Sequence, residues 1–206
     1  MRKLTIIEHM SLDGVIQAPG GPGEDRDNGF PYGGWGMTHP DPAIGEAINA
    51  AHGETFDLLL GRRTYDIWSG YWPNQDGPMA DKLNRAVKFV ATHRPESLDW
   101  GPAESLGADI VEGLRRLKAT PGPDLILWGS STLTPVLLDH GLADEVLLLV
   151  RPVLLGTGKR FFADGMPPRE LELVASKAAA SGVLVSTYRP NGPLRTGSFD
   201  DETAQG

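Results

Sequence analysis

Two rhythms of apolar and polar positions alternate along this chain. KLTIIEH (residues 3–9), FDLLLG (56–61), KFVAT (88–92), DLILWG (124–129) and ADEVLLLVRPVLLG (143–156) are apolar runs of strand length. Near-continuous runs of that kind predict strands buried on both faces, as in a parallel sheet. Between them the spacing turns helical. Ile44, Ala47, Ile48 and Ala51 recur at helical intervals behind Asp41-Pro42, and proline suits a first helical position. RRTYDIWSGYW, residues 79–86, residues 109–119 (with Ile110, Leu114 and Leu117 inward) and residues 131–141 read as further helices, the last with Gly141 as its C-cap. SLDG (11–14) turns out of the first strand, and 17–40 is a long loop holding APGGPG and PYGGWG. Loops of this length without periodicity are usually functional or mobile. Pro152 predicts an edge or a bulge in the strand that contains it. Residues 170–179 and 183–189 read as a hairpin about Ser181-Gly182. The expectation is one α/β domain over residues 1–190, three-layered, with a mainly parallel sheet finished by an antiparallel hairpin. Residues 191–206 are polar and predicted to be a disordered tail.

Composition narrows the chemistry. The 206 residues include no cysteine, which excludes disulfides, thiolate metal sites and a cysteine nucleophile. The five histidines (9, 39, 52, 93 and 140) form no HxxxH or HxH pair. Asp25-x-Asp27-x-Gly29 lacks the glycine and glutamate offsets of a calcium loop, so no metal site is expected. A formal net charge of −8 argues against a nucleic-acid surface and makes any local cluster of cations informative. The first apolar run is short for a signal segment and is broken by Glu8 and His9, and no stretch reaches membrane-spanning length. A cytoplasmic protein without a membrane partner is expected.

Three junctions at strand ends carry the candidate chemistry. Gly61-Arg62-Arg63-Thr64 closes one buried strand and opens a helix, where free N–H groups and the helix dipole favour an anion. The plain alternative is a threonine cap beside solvated arginines. Thr92-His93-Arg94-Pro95 follows another strand, where open α/β sheets place ligands. It also reads as an ordinary polar turn. Gly129-Ser130-Ser131-Thr132 lets backbone approach a pyrophosphate, or makes a tight turn with a hydroxyl cap. It is neither a GxGxxG nor a P-loop, and it lacks the final glycine of GxSxG.

The order of these pieces resembles the dihydrofolate-reductase-like superfamily, and within it the reductase (RibD C-terminal) domain of riboflavin biosynthesis and its stand-alone relatives. The resemblance rests on KLTIIEHMSLDGVI, the loop with GGWG, LLLGRRTYDIW, KFVATHRP, DLILWGSSTL, LADEVLLLVRPVLLGTGKRFF and the final hairpin, and spans roughly residues 2–190. It implies NADPH, and a hydride passed to a heterocyclic or sugar-derived imine or carbonyl. It also implies cofactor contacts at Arg62, Arg63 and Thr64, at Thr92, His93 and Arg94 beside the 2′-phosphate, and at Gly129, Ser130, Ser131 and Thr132 around the pyrophosphate. It further implies a cis peptide bond between Gly129 and Ser130. Backbone groups of His9 and Ile16 would hold the nicotinamide carboxamide.

On the substrate side the resemblance points to a carboxylate on the helix after the long loop. Asp41 is near that position, Glu46 is its competitor, and a helix N-cap is the plain role for Asp41. Trp35, Tyr65 and Trp72 are candidate pocket walls, or core. Two other functions remain open from the residues: a non-catalytic nucleotide-binding protein, and a reductase using a flavin or deazaflavin phosphate. The chain contains no deaminase pattern. Apolar strands at 143–155 and 183–189 suggest pairing across a two-fold axis, hence a homodimer.

Overall fold

The computed structural model describes residues 1–162 and 165–198. Its strands are β1 (Leu4–Ser11), β2 (Phe56–Gly61), β3 (Lys88–Ala91), β4 (Ala103–Ser105), β5 (Asp124–Trp128), β6 (Glu145–Arg151), β7 (Arg169–Ala178) and β8 (Leu184–Pro193). The helices are α1 (Pro42–His52), α2 (Arg62–Tyr71), α3 (Pro78–Arg85), α4 (Ile110–Ala119) and α5 (Leu133–Asp139). One sheet runs in the order β4-β3-β2-β5-β1-β6-β8-β7. β4 to β6 are parallel along that order, and β8 alone opposes its neighbours.

Alternation along each strand sorts side chains to two faces. Leu4, Ile6 and Met10, with Leu59, Leu125, Leu127 and Leu148, pack under α4 and α5 through Leu114, Leu133 and Leu137. Their neighbours Ile7, Leu58, Leu60, Ile126, Leu147 and Leu149 pack under α1, α2 and α3 through Ile44, Ile48, Tyr65 and Leu83. The three layers, the mainly parallel sheet and the closing hairpin are therefore those expected from the pattern.

Three expectations are corrected. Pro152 marks neither an edge nor a bulge: β6 ends one residue before it and lies inside the sheet, between β1 and β8. A proline has no N–H to give to a ladder, so the strand stops there. The apolar segments at 143–155 and 183–189 are consequently interior, and the exposed edge on this side is β7. β4 was not legible in the sequence, because Ala-Glu-Ser carries no period. The tail expected from 191 onward begins as sheet: β8 runs to Pro193 opposite Arg169, and Arg195 pairs with Glu170. Residues 199–206 lie outside the described residues. Among the described residues no helix is long and apolar enough to cross a membrane.

The long loop is folded. Val15, Ala18, Phe30 and Trp35 make a small core of their own, with Val153 and Leu155 against it. Trp35 donates its indole N–H to the Gln17 carbonyl at 2.7 Å. Gly158 sits so close that a Cβ there would meet Val15 at 2.7 Å and Phe30 at 2.9 Å.

Candidate active site

The carboxyl ends of β1, β2 and β5 open into a cavity of about 830 Å³. Its walls combine Glu8 and His9 from β1, Gly61 to Thr64 at the start of α2, and Trp128 to Thr132 after β5. Apolar and aromatic side chains complete it, including Ile48, Trp68, Trp72, Met79 and Leu83. Ligands of open α/β sheets bind at this end of the strands.

Two backbone features shape the polar part. Among the described residues no side chain caps α2, whose first residues line the cavity, and the N–H groups of a first helical turn have no partner within the helix. Beside it, Gly129 (φ 63°) and Ser130 (φ 81°) turn the chain with two successive left-handed residues. The cis Gly129–Ser130 peptide implied by the resemblance is corrected: that bond is trans, and the corner is made by the two positive φ angles. Ser130 is a non-glycine in that region, a strain of the kind that collects at ligand sites. The two strand ends touch: a Cβ on Gly61 would meet Ser130 Oγ at 2.5 Å, and one on Gly129 would meet Thr64 Oγ1 at 3.3 Å.

The expected cofactor residues divide. His9, Ile16, Gly61, Arg62, Arg63, Thr64, Gly129, Ser130, Ser131 and Thr132 line the cavity; Thr92, His93 and Arg94 do not. Arg62 joins the two groups. Its guanidinium donates to Thr92 Oγ1 (3.3 Å), the Arg94 carbonyl (2.9 Å) and Ser97 Oγ (2.9 Å), and it pairs with Asp66 at 2.7 Å. Arg94 reaches the same Asp66 at 3.3 Å. Arg63 is also engaged, by Asp25 and Asp27 of the long loop, each at 2.7 Å. Lys159 closes that cluster on the same two carboxylates at 2.7 and 2.8 Å. Burial alone would raise the Asp25 pKa, but Lys159, the Asp27 amide and Arg63 together hold it low. The long loop is thus strapped to α2 across the cavity.

The expected carboxylates are elsewhere. Asp41 is the N-cap of α1: it accepts from the Ala43 amide at 2.9 Å and the Ser181 amide at 3.0 Å, fastening α1 to the β7–β8 turn. Those two donors hold its pKa down. Glu46 is exposed and faces Lys177 at 3.6 Å. Neither lines the cavity, because amide donors and a surface lysine claim them. Of the aromatic candidates only Trp72 lines it. Tyr65 is core, its hydroxyl accepting from the Trp100 amide at 2.7 Å, and Trp35 belongs to the loop's own core.

Four carboxyl groups do line the cavity, Glu8, Glu24, Asp25 and Asp27, and Glu8 is the one on β1. It is 2% exposed, and its Oε1 is enclosed without a hydrogen-bond partner among the described residues. Burial, with Glu24 adding repulsion, raises its pKa well above the carboxylate range. The sequence signal was present: Glu8 interrupts the face that Leu4, Ile6 and Met10 define. His9 and His52 also line the cavity, both held neutral. Burial, then Arg151, lowers His9 to about 3; burial, then Lys82, lowers His52 to about 4. His9 takes a hydrogen bond from Arg151 at 3.1 Å and His52 one from the Trp128 indole at 3.1 Å. Among the described residues no cluster of His, Cys, Asp and Glu is arranged to hold a metal.

The model of the RibD C-terminal domain matches residues 2–185. The chain belongs to that family. This RibD C-terminal domain protein is 28% identical to the uncharacterized protein YyaP of Bacillus subtilis over 196 residues, covering 93% of this chain and 96% of that one. Its fold is similar to that of a protein named provisionally for riboflavin biosynthesis from Shewanella sp. PV-4 (TM-score 0.69, 19% identity, 93% of this chain and 99% of that one). It is also similar to dihydrofolate reductase from Enterococcus faecalis, solved with NADP(H) (TM-score 0.58, 16% identity, 92% and 96%). The dihydrofolate-reductase-like fold is thereby shown, and a reductase-type function is what the family supports.

Proposed function

We propose that this RibD C-terminal domain protein is an NADPH-dependent reductase acting on a small heterocyclic or sugar-derived imine or carbonyl, of the pterin or riboflavin-precursor kind. The observation that carries the reading is one cavity that joins the uncapped start of α2 and the strained Gly129–Thr132 turn to a wall of indoles and aliphatic side chains. A pyrophosphate suits the first, and flat rings suit the second. The fit is supported by the near contact of Gly61 with Ser130, which leaves room for backbone and none for a larger residue. NADPH, when bound, supplies the hydride.

Arg62, Arg63, Thr64 and Gly129 to Thr132 hold the phosphates in this reading, and backbone of His9 and Ile16 holds the carboxamide. The Ile16 N–H already goes to the Lys159 carbonyl at 2.9 Å, so Ile16 offers its own carbonyl. Thr92, His93 and Arg94 form the rim that reads the 2′-phosphate, with Asp66 as the carboxylate that phosphate must displace from Arg94. The protein's part is orientation and the exclusion of water. In this reading the enzyme is cytoplasmic and homodimeric.

Parallel calorimetric titrations with NADPH and NADH test this. The expected result is a preference for NADPH of at least about tenfold, or roughly 1.4 kcal/mol, which shrinks with added salt and in Arg94→Ala. Asp66→Asn widens it. Equal affinity for NADH overturns the 2′-phosphate reading.

A further inference from the structure

A reduction of C=N or C=O needs a proton as well as a hydride. Each titratable side chain expected from the sequence to supply it, Asp41 or Glu46, is off the cavity. The groups that do line it are mostly committed. Asp25 and Asp27 are ion-paired to Arg63 and Lys159. Burial raises the Glu24 pKa, but its Oε2 is already engaged, accepting from the Gly20 and Gly21 amides at 2.5 and 3.2 Å. His9 and His52 carry no extra proton near neutral pH. Glu8 differs from all of these. No cation pairs with it among the described residues, Glu24 opposes its ionisation, and its Oε1 is enclosed beside the cavity with its hydrogen-bonding capacity unused. A buried polar atom left unpaired costs stability unless something else uses it.

We propose that Glu8 is the proton donor of this site, giving its carboxyl proton to the heteroatom of the C=N or C=O bond whose carbon takes the hydride. The inference rests on the reductase reading. The carbon gains a C–H bond, the π pair withdraws to the nitrogen or oxygen, and that atom forms its new N–H or O–H bond with the Glu8 proton. The carboxylate left behind regains a proton from solvent, which returns the site to its starting state. An acid that arrives protonated is what this step requires, and its removal typically costs two to four powers of ten in rate.

Infrared difference spectroscopy of the full chain, wild type against Glu8→Gln, reads the protonation state directly. The expected spectrum at pH 7 has a protonated-carboxyl C=O band in the wild type that is missing from the variant. That band shifts when NADPH and the cyclic imine probe 7,8-dihydropterin are added together. Glu8→Gln is also expected to bind NADPH within about twofold of wild type while reducing the probe about 100-fold more slowly or worse. Glu8→Met provides the blank if the glutamine variant does not fold. A missing band at pH 7, a band indifferent to both ligands, or undiminished turnover in Glu8→Gln each overturns the proposal. Failure of the wild type to bind NADPH at all overturns instead the reductase reading beneath it.

Discussion

Single residues here divide between those that hold the site and those that face into it. Asp41 belongs to the first kind. Asp41→Ala is expected to lower the melting temperature by about 3 °C and to leave NADPH affinity unchanged. Arg62 is mixed: it lines the cavity, yet its guanidinium is spent on Thr92, Arg94, Ser97 and Asp66. Arg62→Ala is expected to cost about 2 kcal/mol of stability in denaturant melts, the worth of charged hydrogen bonds, before any loss at the cofactor. The buried titratable groups make stability depend on pH in opposite senses. His9 and His52 have folded pKa values below their unfolded ones, so their contribution is whole above about 6.5. It is lost as pH falls toward about 4 and about 3. Glu8 is the reverse: its raised pKa makes its contribution whole below the ordinary carboxylate range and lost as pH rises through the folded value. Melting temperatures between pH 4 and 9 should therefore show Glu8→Gln level with wild type at the acid end and more stable at the alkaline end. Glu8 also shows why the acid was missed in the sequence. A lone glutamate in an apolar strand was read only as a break in hydropathy, and burial is a property of the assembled sheet.

Elements were legible where their period was long and regular. β1, β2, β3 and β5 were visible as apolar runs, and α1, α2 and α4 from their spacing, because burial on both faces writes itself into the sequence. The strand ends that would carry phosphate were visible for the same reason, since a glycine closing such a run marks the edge of the sheet. What stayed hidden depends on contacts distant in sequence. Arg63 meeting Asp25, and Lys159 meeting both loop aspartates, join three segments that share no local signal. That strap is expected to set the mobility of the long loop. Lys159→Met should speed amide hydrogen exchange over residues 17–36 by about tenfold or more, with β1 and β5 unaffected. Unchanged exchange would mean that the Trp35 core alone holds the loop.

At the scale of the whole molecule, the sheet ends on one side in the three-residue β4 and on the other in β7, ten residues long. β7 lies outside the buried core clusters, and Leu173 (53% exposed) and Val174 (45%) stand in solvent. Soluble proteins rarely leave a long edge with apolar side chains unprotected, so the homodimer proposed above is placed on β7. Analytical ultracentrifugation is expected to give a dimer for the wild type and a monomer for Leu173→Lys combined with Val174→Glu, with NADPH affinity retained. A monomeric wild type would remove the homodimer from the proposal. The cavity itself has an optical consequence. Trp68, Trp72 and Trp128 stand in its wall, with Trp68 within 6.1 Å of each of the other two, ring centre to ring centre. Indole emits in the near ultraviolet, where a reduced nicotinamide absorbs and an oxidised one does not. A dihydronicotinamide lodged here would drain the light of three of the chain's five tryptophans by resonance energy transfer. The unlabelled protein would thus report by its own glow both the arrival of the cofactor and the moment its hydride leaves.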